Sequence, residues 1–262
     1  MKKSRERPPA SRSRQSAAAA SARLRSLGNP KRARASAWFF KTGAGEYGEG
    51  DRFLGLDAAT MHREARTFRD FPLGEIEKLL DSPWHEERLV ALLVLVGSYE
   101  RAPREERERI FRFYLAHTSR VNNWDLVDAS APRIVGAHLG PKGGALRRRL
   151  ARSQNLWERR IAIVSTLASI RAGELAATFE TARLLLSDGH DLIHKAAGWM
   201  LREAGKRDPA ALRRFLAANG EKMPRTMLRY AIERFDPEER RGWMSRGGRG
   251  LRAPARESSI RS

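Results

Sequence analysis

The sequence predicts an all-α fold, an α-solenoid of stacked two-helix repeats, on three observations. Apolar residues recur at helical spacing from Asp57 to Phe235, while strand-like alternation is nowhere sustained. Most Pro and Gly residues fall between the apolar segments, where short helix-to-helix connections need them. A Ser is followed nine positions later by an Ala on an apolar segment at Ser82/Ala91, Ser153/Ala162 and Ser187/Ala196, and Ser119 leads to Asp128 in the same frame. The starts lie 37, 34 and 34 residues apart. That is the period of two-helix repeats, whose stacking gives a concave inner surface able to follow a long partner. A slip of one residue would put Ala129 in the frame instead of Asp128.

The elements follow in order. Residues 1–30, rich in Arg, Ser, Ala and Pro, read as a disordered basic tail with a helical turn or two around Ala17 to Leu27. Lys31 to Thr42 reads as a helix, and Gly43 to Gly48 as a glycine-rich, partly mobile loop carrying Tyr47 and, just beyond it, Arg52. The loop formally matches the dinucleotide fingerprint G-x-G-x-x-G. A helix precedes it and no βαβ unit follows, so the backbone is not set to meet a pyrophosphate.

Asp57 can cap a helix to Phe68, Pro72 opens one to Leu80, and Ser82-Pro83 starts a buried helix reaching Ser98. Pro103, with Glu105 and Glu106 in the first turn, begins another to His117. Further helices are expected over 122–138 with a kink at Pro132, then over 144–152, 156–171, 173–187, 191–206, 209–218 and 224–235. The domain is thus set at residues 31–239, and 240–262 reads as a second disordered basic tail.

Charge sharpens that division. The net charge is +20, and residues 1–35 and 240–262 supply 16 of it. Residues 36–239 carry 33 basic and 29 acidic side chains, so the domain itself is nearly balanced. Basic arms around such a domain can hold a polyanion without sequence preference. The acid-poor start shares composition with a transit peptide but lacks its amphipathic pattern. No cysteine is present, which removes disulfides, thiolate nucleophiles and Cys-ligated metals. With 41% hydrophobic residues and no apolar run of bilayer length, the expectation is a soluble, cytoplasmic protein.

Candidate chemistry centres on Trp124 and Asp128. Four residues apart on a helix, an indole and a carboxylate lie on one face. A carboxylate at a packing position is costly unless it has a task or a partner. If the repeats stack in phase, Arg159, Arg160 and Trp199 on the following repeat helices fall on the same side. Rings, carboxylate and guanidinium suit a cationic ligand next to a phosphate. Core packing for each Trp, a structural hydrogen bond for Asp128 and an ion pair of Arg160 with Glu158 or Glu203 are the bland alternatives. His190 and His194 stand at i and i+4, but Asp replaces the usual Glu between them and a third ligand is lacking, so no metal site is assigned. Arg147 to Arg149 is a basic run that reads equally as phosphate contact or solvated face.

Five segments together resemble the AlkD family of DNA glycosylases, the HEAT-like-repeat enzymes of alkylation repair. They are FFKTGAGEYGEGDRFLG (39–55), ERLVALL (87–93), NWDLVD (123–128), NLWERR (155–160) and KAAGWMLRE (195–203). The resemblance spans roughly residues 35–235. It implies that Asp128 is the catalytic aspartate, that Trp124 and Trp199 are the cleft tryptophans, and that Arg160 is the cleft arginine. It further implies a monofunctional glycosylase that removes cationic N3- and N7-alkylpurines from double-stranded DNA without base flipping and leaves an abasic site. No cofactor is expected, the expected state is a monomer, and the expected place is the nucleoid. Arg159, Tyr47 and Arg52 complete the expected DNA contacts. The rival reading is a non-catalytic helical-repeat scaffold that binds nucleic acid or protein on the same surface.

Overall fold

The computed structural model describes residues 16–140 and 143–246. Among them the chain is all-α, a succession of short helices without strands; the single backbone bridge joins Arg52 to Trp84. It divides into two compact units, at residues 142 and 143.

The first unit holds α1 (Ala17–Ser26), α2 (Pro30–Phe39), α3 (Ala58–Thr67), α4 (Leu73–Leu80), α5 (His85–Arg101), α6 (Arg104–Ala116), α7 (Trp124–Ser130) and the short α8 (Ala137–Leu139). Helix α5 is its spine: α3, α4, α6 and α7 all pack against it. Val90, Ala91, Leu92, Leu95 and Val96 on it are fully buried. Asp57 caps α3 by accepting the Thr60 amide at 2.7 Å, as its position predicts.

The second unit holds α9 (Gly144–Ala151), α10 (Leu156–Val164), α11 (Leu167–Arg171), α12 (Ala176–Leu184), α13 (Asp191–Arg207), α14 (Pro209–Asn219), α15 (Arg225–Ala231) and α16 (Pro237–Arg246). Here α13 is the spine, with α10, α12, α14 and α15 around it. Gly198 lets α15 approach closely, since a Cβ there would lie 2.6 Å from the Met227 carbonyl oxygen.

The repeat frame is visible in the packing. Ala91, Ala162 and Ala196 are buried at or near zero exposure, whereas Asp128 in the same frame is only half-buried. A shared clamp confirms the register. Arg88 donates to the Ser82 carbonyl at 3.0 Å, and Arg159 donates to the Ser153 carbonyl at 3.0 Å, each reaching back six residues. Each also grips an aspartate, Asp51 and Asp188 respectively. The third residue after each clamp is the buried alanine.

Three expectations change. The 122–138 segment breaks as Pro132 predicts, but through a π turn at Pro132–Gly136 rather than a simple kink, because Pro132 has no amide to continue the ladder. The expected helix over 156–171 is two helices, since the Ser165 and Thr166 hydroxyls bond back to the Ala162 and Ile163 carbonyls and divert the chain.

The third change concerns the tails. The helical stretch expected around Ala17 to Leu27 is α1, but it is docked rather than part of a disordered arm: Ser16 caps it, and Ala17, Ala20 and Leu24 are buried. Acidic side chains far along the chain hold this helix. Glu75 accepts the Ala17 amide at 2.6 Å, Glu64 pairs with Arg23, and Glu87 accepts from Ser21 at 2.7 Å and Arg25 at 2.9 Å. Likewise α16 runs across the boundary expected at residue 240, and Arg225 donates to the Met244 carbonyl. The remainder of both expected tails, residues 1–15 and 247–262, lies outside the described residues.

Docking of α1 through Leu24 is directly measurable. Leu24→Ala should lower the unfolding free energy by roughly 2–5 kcal/mol, whereas Leu27→Ala, at an exposed position, should stay within about 0.5 kcal/mol of the parent. Denaturant unfolding of the two variants checks this; equal midpoints would mean that α1 does not belong to the core.

A candidate nucleic-acid interface on α7

Helix α7 begins at Asn123, whose Oδ1 accepts the Trp124 amide at 2.8 Å while its Nδ2 reaches Asp51 at 3.1 Å. The cap therefore ties the helix start to the glycine-rich loop 72 residues earlier. Trp124 and Asp128 then fall one turn apart, and both are half-buried. The side of the indole facing the protein stacks on Phe40 at 5.3 Å and 19°, and Phe39 meets it edge-on at 6.1 Å. Such contacts are worth about 0.5–1.5 kcal/mol each beyond the area they bury.

Beneath this stack lies an imidazole that sequence alone does not single out. His85, 2% exposed, stacks on Phe53 at 4.6 Å and tilts against Phe40 at 4.9 Å. Its Nδ1 is 3.1 Å from Asp51 Oδ2 and its Nε2 is 2.7 Å from Asp125 Oδ2. Both ring nitrogens meet carboxylates, so both must donate and the ring is an imidazolium. Burial works against that charge, but Asp125 and then Asp51 outweigh it and push the pKa up to about 9.

The Asp51 side chain is buried too, which alone would raise its pKa. The His85 hydrogen bond, the Arg88 charge and the Asn123 amide instead hold it below the usual carboxylate range. Two carboxylates and two cations thus neutralise one another in a buried cluster that joins the loop, α5 and α7. The first turn of α7 commits Asp125 to this cluster, and Asp128 follows three residues on. Close by, the Tyr114 hydroxyl meets Ser130 Oγ at 2.9 Å. Burial raises the phenol pKa, the Ser130 bond lowers it, and the nearby Asp128 charge raises it further, so the phenol stays neutral.

The expected loop residues sit against α5. Turns from Thr42 to Asp51 are held by Glu46 and Glu49, which accept the Gly43 and Gly45 amides at 3.0 and 2.8 Å. Arg52 pairs its backbone with Pro83 and His85 and leaves its side chain exposed; Tyr47 is half-buried. Buried Glu86 accepts the amides of Leu54, Gly55 and Leu56. Gly55 has φ +81°, and a Cβ there would lie 2.3 Å from the Asn29 carbonyl oxygen, so the segment needs glycine.

In the second unit Trp199 is half-buried on α13. Arg160 is 5% exposed and donates to the Leu192 carbonyl at 2.7 Å. Glu203 is held by Arg202 and Lys206. Arg159 is engaged with Asp188 and the Ser153 and Gln154 carbonyls, so the repeat clamp takes the guanidinium that the sequence alone would assign to DNA. Of the basic run, Arg147 is buried and Arg148 and Arg149 are exposed. His190 caps α13 by accepting the Leu192 amide, and His194 bonds the Asp188 carbonyl; both are polar contacts at a helix start.

A family model described as DNA alkylation repair enzyme matches residues 20–235, a span that begins within α1. The chain belongs to the DNA alkylation repair enzyme family. A solved structure from Enterococcus faecalis, described as a predicted DNA alkylation repair enzyme, has the same fold. It superposes with a TM-score of 0.63 at 18% identity, over 80% of this chain and 97% of that one. No curated protein matches. Among the described residues no helix is long and apolar enough to cross a membrane.

The buried imidazolium makes stability depend on pH. Because the folded-state pKa rises from 6.5 to about 9, its stabilisation is complete below about pH 6.5 and is lost as pH climbs through about 9. Unfolding free energy should therefore fall over that window by a few kcal/mol, at about 1.4 kcal/mol for each tenfold change in proton affinity. His85→Gln should be less stable at pH 6 and should flatten the decline. Parallel slopes for parent and variant would show that His85 is neutral in the fold.

Proposed function

We propose that the protein is a monofunctional DNA glycosylase that hydrolyses the N-glycosidic bond of cationic N3- and N7-alkylpurines in duplex DNA. The observation that carries this reading is the pairing of a half-exposed indole and a half-exposed carboxylate on α7, a helix fixed from below by a charge-balanced cluster. Membership of the repair family supplies the substrate class, alkylation-damaged DNA.

Alkylation at N3 or N7 gives the purine a positive charge and makes it a good leaving group. The bond from N9 to C1′ breaks with its electron pair going to the base, which departs neutral, and positive charge builds on the deoxyribose. Asp128, facing that sugar, stabilises the oxocarbenium-like transition state and orients water for attack at C1′; the water's proton passes through the carboxylate to solvent. Trp124 holds the sugar and backbone beside the lesion, and Trp199 of the second unit adds a second ring to the bound duplex. Because the leaving group is already activated, the base need not enter a pocket, which departs from enzymes that extrude it. Arg52 and Tyr47 lie on the loop that carries Asp51 and contact the backbone. Arg160 anchors α10 to α13, and Arg159 acts by holding the α10 entry. Neither a cofactor nor a metal is required by these steps, strand cleavage is not part of them, and the monomer suffices.

Duplex DNA carrying 7-methylguanine tests the reading. The parent should release free base and leave an abasic site, and Asp128→Asn should slow single-turnover release by roughly 100-fold or more, since the charge acts on the transition state. Binding to an abasic duplex should change little. Trp124→Ala and Trp199→Ala should each slow lesion processing. Unaltered substrate after prolonged incubation with the parent would leave the non-catalytic scaffold as the function.

A further inference from the structure

Helix α2 is an anomaly of the first unit. It buries none of its side chains, yet it ends in Trp38 at 84% and Phe39 at 57% exposure. Leaving two large rings in water forgoes the stabilisation that burying them would give. The helix is nonetheless firmly placed. Asn29 caps it, and Arg32 reaches the Gly55 carbonyl and pairs with Asp57 at 3.1 Å. Its aromatic end is thus fixed where it stands.

Its charges show what the rings meet. Lys31, Arg34 and Trp38 stand at i, i+3 and i+7, so they share one face, and all three are exposed. Lys31 and Arg34 have no ion-pair partner among the described residues, and α2 contains no acidic residue. Seven residues at 1.5 Å span about 10 Å, roughly three base-pair steps of 3.4 Å along a duplex axis. Next to Trp38 in sequence, Phe39 meets the Trp124 ring edge-on at 6.1 Å.

The geometry points to α2 as a nucleobase-stacking edge. Trp38 takes the face of an unpaired or unstacked base in DNA, with Phe39 beside it against Trp124, and Lys31 and Arg34 hold the phosphates of the same strand. Aromatic platforms beside basic grooves are the general means of holding unpaired bases without sequence preference. The identity of the occupant as DNA rests on the repair reading of α7. The edge gives that reading a way to hold DNA open at a damaged step from outside the stack, and it takes no part in the bond-breaking step.

Binding alone tests this, so that it stands or falls separately from catalysis. Two end-labelled duplexes, alike except that one carries a single unpaired adenine, are titrated with the full-length parent, Trp38→Ala, Trp38→Phe and the double variant Lys31→Ala/Arg34→Ala. The parent should favour the bulged duplex. Trp38→Ala should weaken binding to the bulged duplex about tenfold or more and to the paired duplex far less, and Trp38→Phe should restore most of the difference. The double variant should weaken both alike and reduce the salt slope by one to two.

Equal loss on both duplexes, or none, in Trp38→Ala would overturn the proposal. So would a parent dimer that Trp38→Ala dissociates in sedimentation, or Trp38-dependent binding to anionic vesicles with no effect on the bulged duplex, since the rings would then cover a second copy or a membrane. Because Trp38 is exposed, thermal melts of the variants should match the parent. Failure of the parent to release base would count against the glycosylase alone and leave the duplex comparison intact.

Discussion

A single buried imidazolium ties together the loop, α5 and α7, and so positions the residues of the loop and of α7 that are proposed to touch DNA. His85 stands on the first turn of the spine helix, bonds the loop through Asp51 and bonds α7 through Asp125. Its ring face also supports Phe53 and Phe40, on which Trp124 stacks. Remove its charge and the largely buried Asp51 and Asp125 lose the cation between them, which is far more costly than losing one hydrogen bond. The aromatic stack and the charged cluster are therefore one device, with the rings excluding water and the ions fixing register.

This arrangement explains how one short helix could hold a carboxylate for the electrostatic role proposed for Asp128. Helix α7 has only seven residues and would not persist alone. Its start is capped by Asn123, its first turn is bonded to His85, and its end is set by the π turn at Pro132. Asp128 inherits rigidity from all three. A carboxylate held in place before reaction pays no reorganisation cost as positive charge develops nearby, and preorganisation is where such catalysis finds most of its advantage.

The parts legible in the sequence were those written in local spacing. The 34–37-residue frame, the cap at Asp57, the break at Pro132 and the one-face pairing of Trp124 with Asp128 all follow from residues within a turn or a repeat of one another. What stayed hidden was long-range pairing of charges. Residues 16–30 look like a disordered basic arm because the carboxylates that hold them, Glu64, Glu75 and Glu87, lie 41 to 66 residues away. His85 looks like one polar residue in the charged run that opens an apolar helix, and nothing local marks Asp51 and Asp125 as its partners. The only available sign was that four consecutive polar residues, His85 to Arg88, occupy the start of the most apolar segment, and all four prove buried. Arg159 and Arg160 were indistinguishable by type, and only the repeat clamp separates them.

The central claim is that Asp128 is held to meet positive charge on a sugar, and affinity for a charged mimic measures it most directly. A duplex carrying a pyrrolidine in place of one deoxyribose presents a cation where the oxocarbenium would form, and a tetrahydrofuran presents the same shape without charge. The parent should bind the cationic duplex at least about tenfold more tightly than the neutral one, and Asp128→Asn should bind the two alike. Equal affinity of the parent for both would contradict the account, because the carboxylate on α7 would then not face the sugar.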